Sequence, residues 1–199
     1  SVSRPLLQTF KDGAVALGTK AFFTPHMYIY DGRRAGCQMD SERCLNQCTN
    51  NGRYCATNPE AALDSGVTGA DVVGESLRRI CIWRNYGEDG IGKKWWDYTT
   101  EFMYRCANPL NPGFFASQDC IADAMTHAGV NKKIVDSCMS DSGGLEGDVA
   151  NSALANELAE QSVSGVVRTP AFFVNQAPVL GSLSYSTVFK AICSGYAAG

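Results

Sequence analysis

Val166-Val167-Arg168-Thr169-Pro170-Ala171-Phe172-Phe173-Val174-Asn175, running on to Pro178-Val179-Leu180-Gly181, is the stretch whose reading decides the fold. A Thr-Pro step enters a short apolar strand, a polar turn follows, and a second short strand leads to a closing helix over about Ser184 to Cys193. Gly195 is the expected stop of that helix, since glycine takes the left-handed C′ conformation without steric cost. Upstream lie the cysteines: Cys37, Cys44, Cys48, Cys55, Cys81, Cys106, Cys120 and Cys138, with Cys193 in the closing helix. None of the nine is spaced as Cys-x-x-Cys.

That spread predicts disulfides formed in an oxidising compartment. Zinc sites bunch their ligands, and the two histidines, His26 and His127, lie far apart, so no metal and no cofactor is expected. Nine is odd, so one thiol is free or pairs outside this chain. The spacing leaves about 945 possible connectivities. Cys44, Cys48, Cys55, Cys81, Cys106, Cys120, Cys138 and Cys193 are the cystine candidates, although Cys193 also stands with Cys37 as a leading candidate for the odd thiol. Cys120 and Cys138 fall on the two arms of one helical hairpin and are expected to bond each other. In the chain-entropy argument such a loop contributes roughly 3 kcal/mol.

Composition narrows the class. Hydrophobic residues make up 45% and charged residues 19% of the 199, which is the balance of a folded globular chain. A net charge of −3 and a single short basic pair, Arg33-Arg34, argue against nucleic acid, which demands clustered Lys and Arg. No stretch approaches the roughly 18 apolar residues of a membrane span. Ser1 opens the chain without a charged and apolar leader, so a luminal or extracellular segment cut from a longer protein is expected.

Along the chain, the first 20 residues are weakly patterned and predict a short strand or an ordered arm. Ala21 to Tyr30 reads as a strand, interrupted at Pro25, which has no amide proton. Cys44 and Cys48, four apart, predict a short helix over 40–55, and Asn50-Asn51-Gly52 a tight turn. Helices follow over Asp71 to Arg84, Lys93 to Cys106, Ser117 to Ala128, Lys132 to Met139 (with Asn131 as N-cap) and Asp148 to Gln161. The order is strand, helices, hairpin, helix. For the apolar faces to be buried, the first strand and the last hairpin are expected in one sheet.

This order, with Thr169-Pro170, resembles the thioredoxin fold: an α/β, disulfide-rich, thioredoxin-like sheet with a large helical insertion, as in bacterial oxidoreductases of the DsbA type. The expectation is a single thioredoxin-like domain over 1–199, with the insertion at about 57–164 and the hairpin and helix at about 166–196. A more specific resemblance is to the central luminal region of plant and algal vacuolar sorting receptors. It rests on Phe23-Thr24-Pro25-His26, Asn51-Gly52-Arg53-Tyr54-Cys55-Ala56, Trp95-Trp96-Asp97-Tyr98, Cys120-Ile121-Ala122-Asp123 and Lys190-Ala191-Ile192-Cys193-Ser194-Gly195-Tyr196, in that order.

The resemblance implies a receptor that captures soluble cargo in the secretory pathway, flanked by protease-associated and EGF-like modules. Two departures stand out. The family has a cysteine where this chain has Asp31-Gly32 and offers Cys37 later, and a further family cysteine lies beyond the last helix. The loss of that partner accounts for the odd count. The resemblance also implies a cis Thr169-Pro170 bond and a peptide groove at Arg168, Thr169, Pro170 and Cys37.

Thiol–disulfide exchange needs a low-pKa thiolate and a resolving partner, usually at one helix N-terminus. Cys37 and Cys44, with six residues between them, do not meet that requirement. Trp95-Trp96 reads as core in preference to a ligand platform, because neighbours on a helix point about 100° apart. Asp136, Asp141, Glu146 and Asp148 read as a solvated acidic loop, lacking the ordered calcium-loop spacing. His26 reads as a structural, hydrogen-bonded residue. The expected function is a non-enzymatic luminal or extracellular module that recognises a protein or peptide ligand, with no membrane contact of its own. A structural module of an extracellular or surface assembly is the alternative, and a thiol–disulfide oxidoreductase the third reading.

Overall fold

The computed structural model describes residues 3–37, 44–58, 66–166 and 169–197. The chain opens not with a strand but with α1, Ser3–Leu17. Leu6, Phe10 and Ala14, one helical turn apart, form its buried stripe. Gly13 faces the closing helix, where a Cβ would lie 2.7 Å from the Tyr185 ring.

Three two-residue strands come next: β1 (Tyr30–Asp31), β2 (Cys48–Thr49) and β3 (Tyr54–Cys55). They form one antiparallel sheet in the order β1-β3-β2. The helix expected around Cys44 and Cys48 is absent among the described residues. Cys48 instead lies in β2, directly opposite Cys55, across a turn in which Asn50, Asn51 and Gly52 all have positive φ (50°, 54° and 75°). Asn and Gly tolerate that conformation, and the turn overrides the helical spacing.

Helix α2, Gly69–Tyr86, begins with a capping box: Thr68 Oγ1 accepts from the Asp71 amide at 3.0 Å, and Asp71 Oδ2 from the Thr68 amide at 2.9 Å. Such a box satisfies two orphan amides and is worth about 1 kcal/mol. Helix α3, Lys93–Arg105, is the central helix, burying Trp95, Trp96, Tyr98, Thr99 and Phe102. The hairpin of α4 (Gln118–His127) and α5 (Lys132–Asp141) packs with α4 on α3 and α5 on α2. Asn131 caps α5 as expected, accepting from the Lys133 amide at 3.0 Å.

Helix α6, Ser152–Ser164, starts four residues later than expected because Asn151 Oδ1 accepts from the Ala153 and Leu154 amides, each at 3.0 Å. A two-stranded hairpin, β4 (Phe173–Val174) and β5 (Ala177–Pro178), and α7 (Tyr185–Ala197) complete the chain. Helix α7 continues through Gly195. A Cβ at Gly195 would come within 2.9 Å of Val174 Cγ1, so this glycine admits the hairpin onto the helix and does not stop it.

Two expectations of long range fail. Of residues 21–30, expected as a strand, only Tyr30 lies in one, and its sheet is not that of the terminal hairpin. The backbone of the extended segment is taken by other groups: the Phe23 amide donates to Gly90 O at 2.8 Å, the Met27 amide to Glu157 Oε2 at 3.1 Å, and Gln161 Nε2 donates to Met27 O at 2.8 Å. Pro25 has no amide to offer. Side chains of α6 therefore replace a strand partner.

The cystines also differ. Cys120 bonds Cys106, and Cys138 bonds Cys81. Each cysteine of the hairpin faces the helix its own arm packs on, not the other arm. Cys37 bonds Cys44 and Cys48 bonds Cys55, so Cys193, on an exposed face of α7, is the free thiol and drops out of the cystine set.

Candidate functional site

The Thr169–Pro170 peptide is cis, Thr169 is exposed and Pro170 half-buried. Directly after it the strand alternates: Phe172 turns inward, 5.8 Å from the Phe10 ring and 6.3 Å from Phe23, while Phe173 turns outward. Asn175 and Gln176 form a two-residue loop, both with positive φ (48° and 67°), the form that matches hairpin twist.

Val174 pairs with Ala177, Phe173 with Pro178, and the Val179 amide donates to Phe172 O at 2.8 Å. In an antiparallel pair hydrogen-bonded and non-bonded positions alternate, so the amide and carbonyl of Phe173 point away from β5. Pro178 supplies no outward amide on the opposite edge. The donor-bearing free edge is therefore that of β4, beside Thr169–Pro170. A separate open depression of about 460 Å³ lies between the β5 side of the hairpin and α7, lined by Ala177, Pro178, Val179, Leu180, Thr187 and Ala191, with Val174 from β4.

The other residues expected in the groove fare differently. Arg168 lies outside the described residues. Cys37 is 2% exposed with its sulfur bonded to Cys44, so it lends no surface to a ligand, a correction to the expected groove. The sulfurs of Cys37, Cys48 and Cys55 lie within 4.8 Å of one another, yet all are already joined in S–S bonds and are not thiolate ligands for a metal. Gly32 packs on this cluster so tightly that a Cβ would overlap Cys55 Sγ. No side chain can stand there.

Trp95 and Trp96 are core, 2% and 1% exposed, in an aromatic nest with Phe10, Phe23 and Trp83. Two of the four acidic residues are paired with cations: Asp136 with Lys132, and Asp148 with Arg33 and Arg53. Those arginines hold the Asp148 carboxyl below its ordinary range. His26 Nδ1 lies 3.2 Å from Glu157 Oε2, and this hydrogen bond raises its pKa above 6.5 although partial burial opposes it. The open edge of β4 was not legible in the sequence beyond the run of apolar residues. The missing amide of Pro178 was the available signal.

The sequence profile described as the vacuolar sorting receptor thioredoxin-like domain matches residues 2–193. The chain belongs to that family. It is 37% identical over 196 residues to vacuolar-sorting receptor 4 of Arabidopsis thaliana, and 35% identical over 196 residues to vacuolar-sorting receptor 1 of Pisum sativum. Each match covers 96% of this chain and 30% of the relative. The chain thus spans under a third of the length of the receptors it matches. As a vacuolar sorting receptor thioredoxin-like domain it mixes helices with two small sheets and carries four cystines. No helix among the described residues is long and apolar enough to cross a membrane.

Proposed function

We propose that this chain is a non-enzymatic, luminal protein-recognition module of a sorting receptor, and that it takes an extended segment of a protein ligand along β4. The observation that carries the reading is the outward backbone of Phe173, three residues after the cis Thr169–Pro170 step. An added strand gains affinity from main-chain hydrogen bonds along such an edge. Arg168, which precedes Thr169 in the sequence, is included in the proposal as a ligand contact. The names of the relatives, vacuolar-sorting receptors, supply the wider role. In that role the module is one thioredoxin-like unit with its helical insertion at about 57–164, flanked in the whole receptor by protease-associated and EGF-like modules.

The test starts from a phage-displayed peptide library panned against the chain. Selected peptides are then titrated against Phe173→Pro, which removes the outward amide, Thr169→Glu, and a control, Leu110→Ser, on the insertion. Both edge variants are expected to bind at least several-fold more weakly, with unchanged circular dichroism. Equal affinity for all variants would take recognition off the β4 edge, and loss only in Leu110→Ser would place it on the helical insertion; either result overturns the reading.

A further inference from the structure

We propose that the two cystines beside β1 form an exchange pair: reduction of Cys37–Cys44 by an external dithiol passes to Cys48–Cys55, leaving a Cys37–Cys55 cystine and thiols at Cys44 and Cys48. Cys37 Sγ lies within 4.8 Å of both Cys48 Sγ and Cys55 Sγ. Reacting atoms meet at about 3–3.5 Å, so a shift of roughly 1–2 Å brings Cys37 to either sulfur.

Burial decides the direction. Cys37 and Cys55 are 2% and 0% exposed, whereas Cys44 and Cys48 are half-buried. Cys44 is the accessible half of its cystine, and the route assigned here begins with attack on it. The dithiol's thiolate forms a bond to Cys44 Sγ, the Cys37–Cys44 bond breaks, and Cys37 leaves as a buried thiolate. The second thiol of the reagent closes its own disulfide and releases Cys44. A thiolate without water is costly, and attack on a neighbouring cystine moves that charge outward.

Attack on Cys55 expels the half-exposed Cys48. Attack on Cys48 would instead leave the charge on the fully buried Cys55. The first path is the product assigned here. Gly32 keeps the path open: its missing Cβ would overlap Cys55 Sγ and lie 3.2 Å from Cys37 Cβ, and its carbonyl holds the Cys37 amide at 2.7 Å. The balance closes: one dithiol becomes a disulfide, one protein cystine is lost, and the two protons reside on Cys44 and Cys48. Both released thiols sit on one short segment, 44–48, which thereby loses its two covalent ties while β2 keeps its pairing with β3.

Trypsin makes the outcome readable, because cleavage after Arg34, Arg43, Arg53 and Arg78 puts Cys37 on peptide 35–43, Cys44 and Cys48 on 44–53, and Cys55 on 54–78. The fully oxidised chain is treated with one equivalent of dithiothreitol at pH 8, acid-quenched, labelled with N-ethylmaleimide and mapped without reduction. The expected product is 35–43 linked to 54–78, with 44–53 released carrying two labels and the cystines of the helices intact. A Cys44→Ser variant supplies a free Cys37 without reductant and is expected to give the same link, with Cys48 labelled. The rate should rise about tenfold per pH unit below a thiol pKa of about 8.5. Peptide 44–53 remaining linked to 54–78 while 35–43 is released, a Cys37–Cys48 link, or first reduction at another cystine overturns the proposal. If the variant does not fold, the wild-type map decides alone.

Discussion

Removing the Cys81–Cys138 bridge as a Cys81→Ala/Cys138→Ala double substitution should be the costliest loss of any one cystine. The bond ties α2 to α5 across a sequence separation of 57 residues. Chain entropy assigns a loop of that length about 4 kcal/mol, against about 3 kcal/mol for Cys106–Cys120, whose separation is 14. The loops of Cys37–Cys44 and Cys48–Cys55, each with a separation of 7, come to about 2.4 kcal/mol. Cys81 is fully buried, so the missing sulfurs also leave a void that adds about 1–2 kcal/mol.

The sum, about 5–6 kcal/mol, corresponds to a fall in Tm of roughly 15 °C for a chain of this size. Urea titration under non-reducing conditions, followed by tryptophan fluorescence, measures it, with a Cys106→Ala/Cys120→Ala chain as the internal comparison. If the α2–α5 variant loses less than that comparison, loop length does not govern these bridges. If it loses under about 1 kcal/mol, far below the cost of a buried cross-link, the α2–α5 pairing itself is wrong.

Two further outcomes follow from buried polar contacts. Glu75 accepts from Arg78 Nη1 at 2.7 Å, Arg79 Nε at 2.8 Å and Tyr98 Oη at 3.0 Å, so Glu75→Ala strands a buried guanidinium and should cost about 3–5 kcal/mol in urea titration. Tyr98→Phe removes one bond and should cost about 1–2 kcal/mol; a Glu75 effect no larger than that would refute the network. His26 has its pKa raised in the folded chain by Glu157, with Glu160 adding to it. Its contribution to stability is full below 6.5, its unfolded value, and is lost as pH rises through the higher folded value. The gap in urea midpoint between the parent and His26→Gln should therefore be wider at pH 5.5 than at pH 8, and a gap independent of pH would sink the assignment.

What was legible in the sequence had a local cause. Asn131 announces α5 by accepting an amide two residues on, and Asn50-Asn51-Gly52 forces its turn through conformations that few other residues tolerate. The apolar stripes of α2 and α3 repeat at the helical period, and nine cysteines leave one unpaired whatever the fold. The hairpin after Thr169–Pro170 belongs with these, since both its strands and its turn lie within ten residues.

Tertiary structure decided what depended on distant partners. The sequence of residues 21–30 favours an extended chain but cannot say that Glu157 and Gln161, more than a hundred residues away, take its backbone groups in place of a strand. Cys120 and Cys138 share a hairpin, yet a disulfide forms only where two Cα atoms come within about 6–7 Å with the right direction, and that depends on which helix each arm packs against. Gly13 in α1 lies against the Tyr185 ring of α7, a contact that exists only once α7 is in place. Capping, turns and periodicity act over a few residues and are written in the chain. Strand partners, cystine pairs and the open edge of β4 arise from packing, and packing is a property of the whole fold.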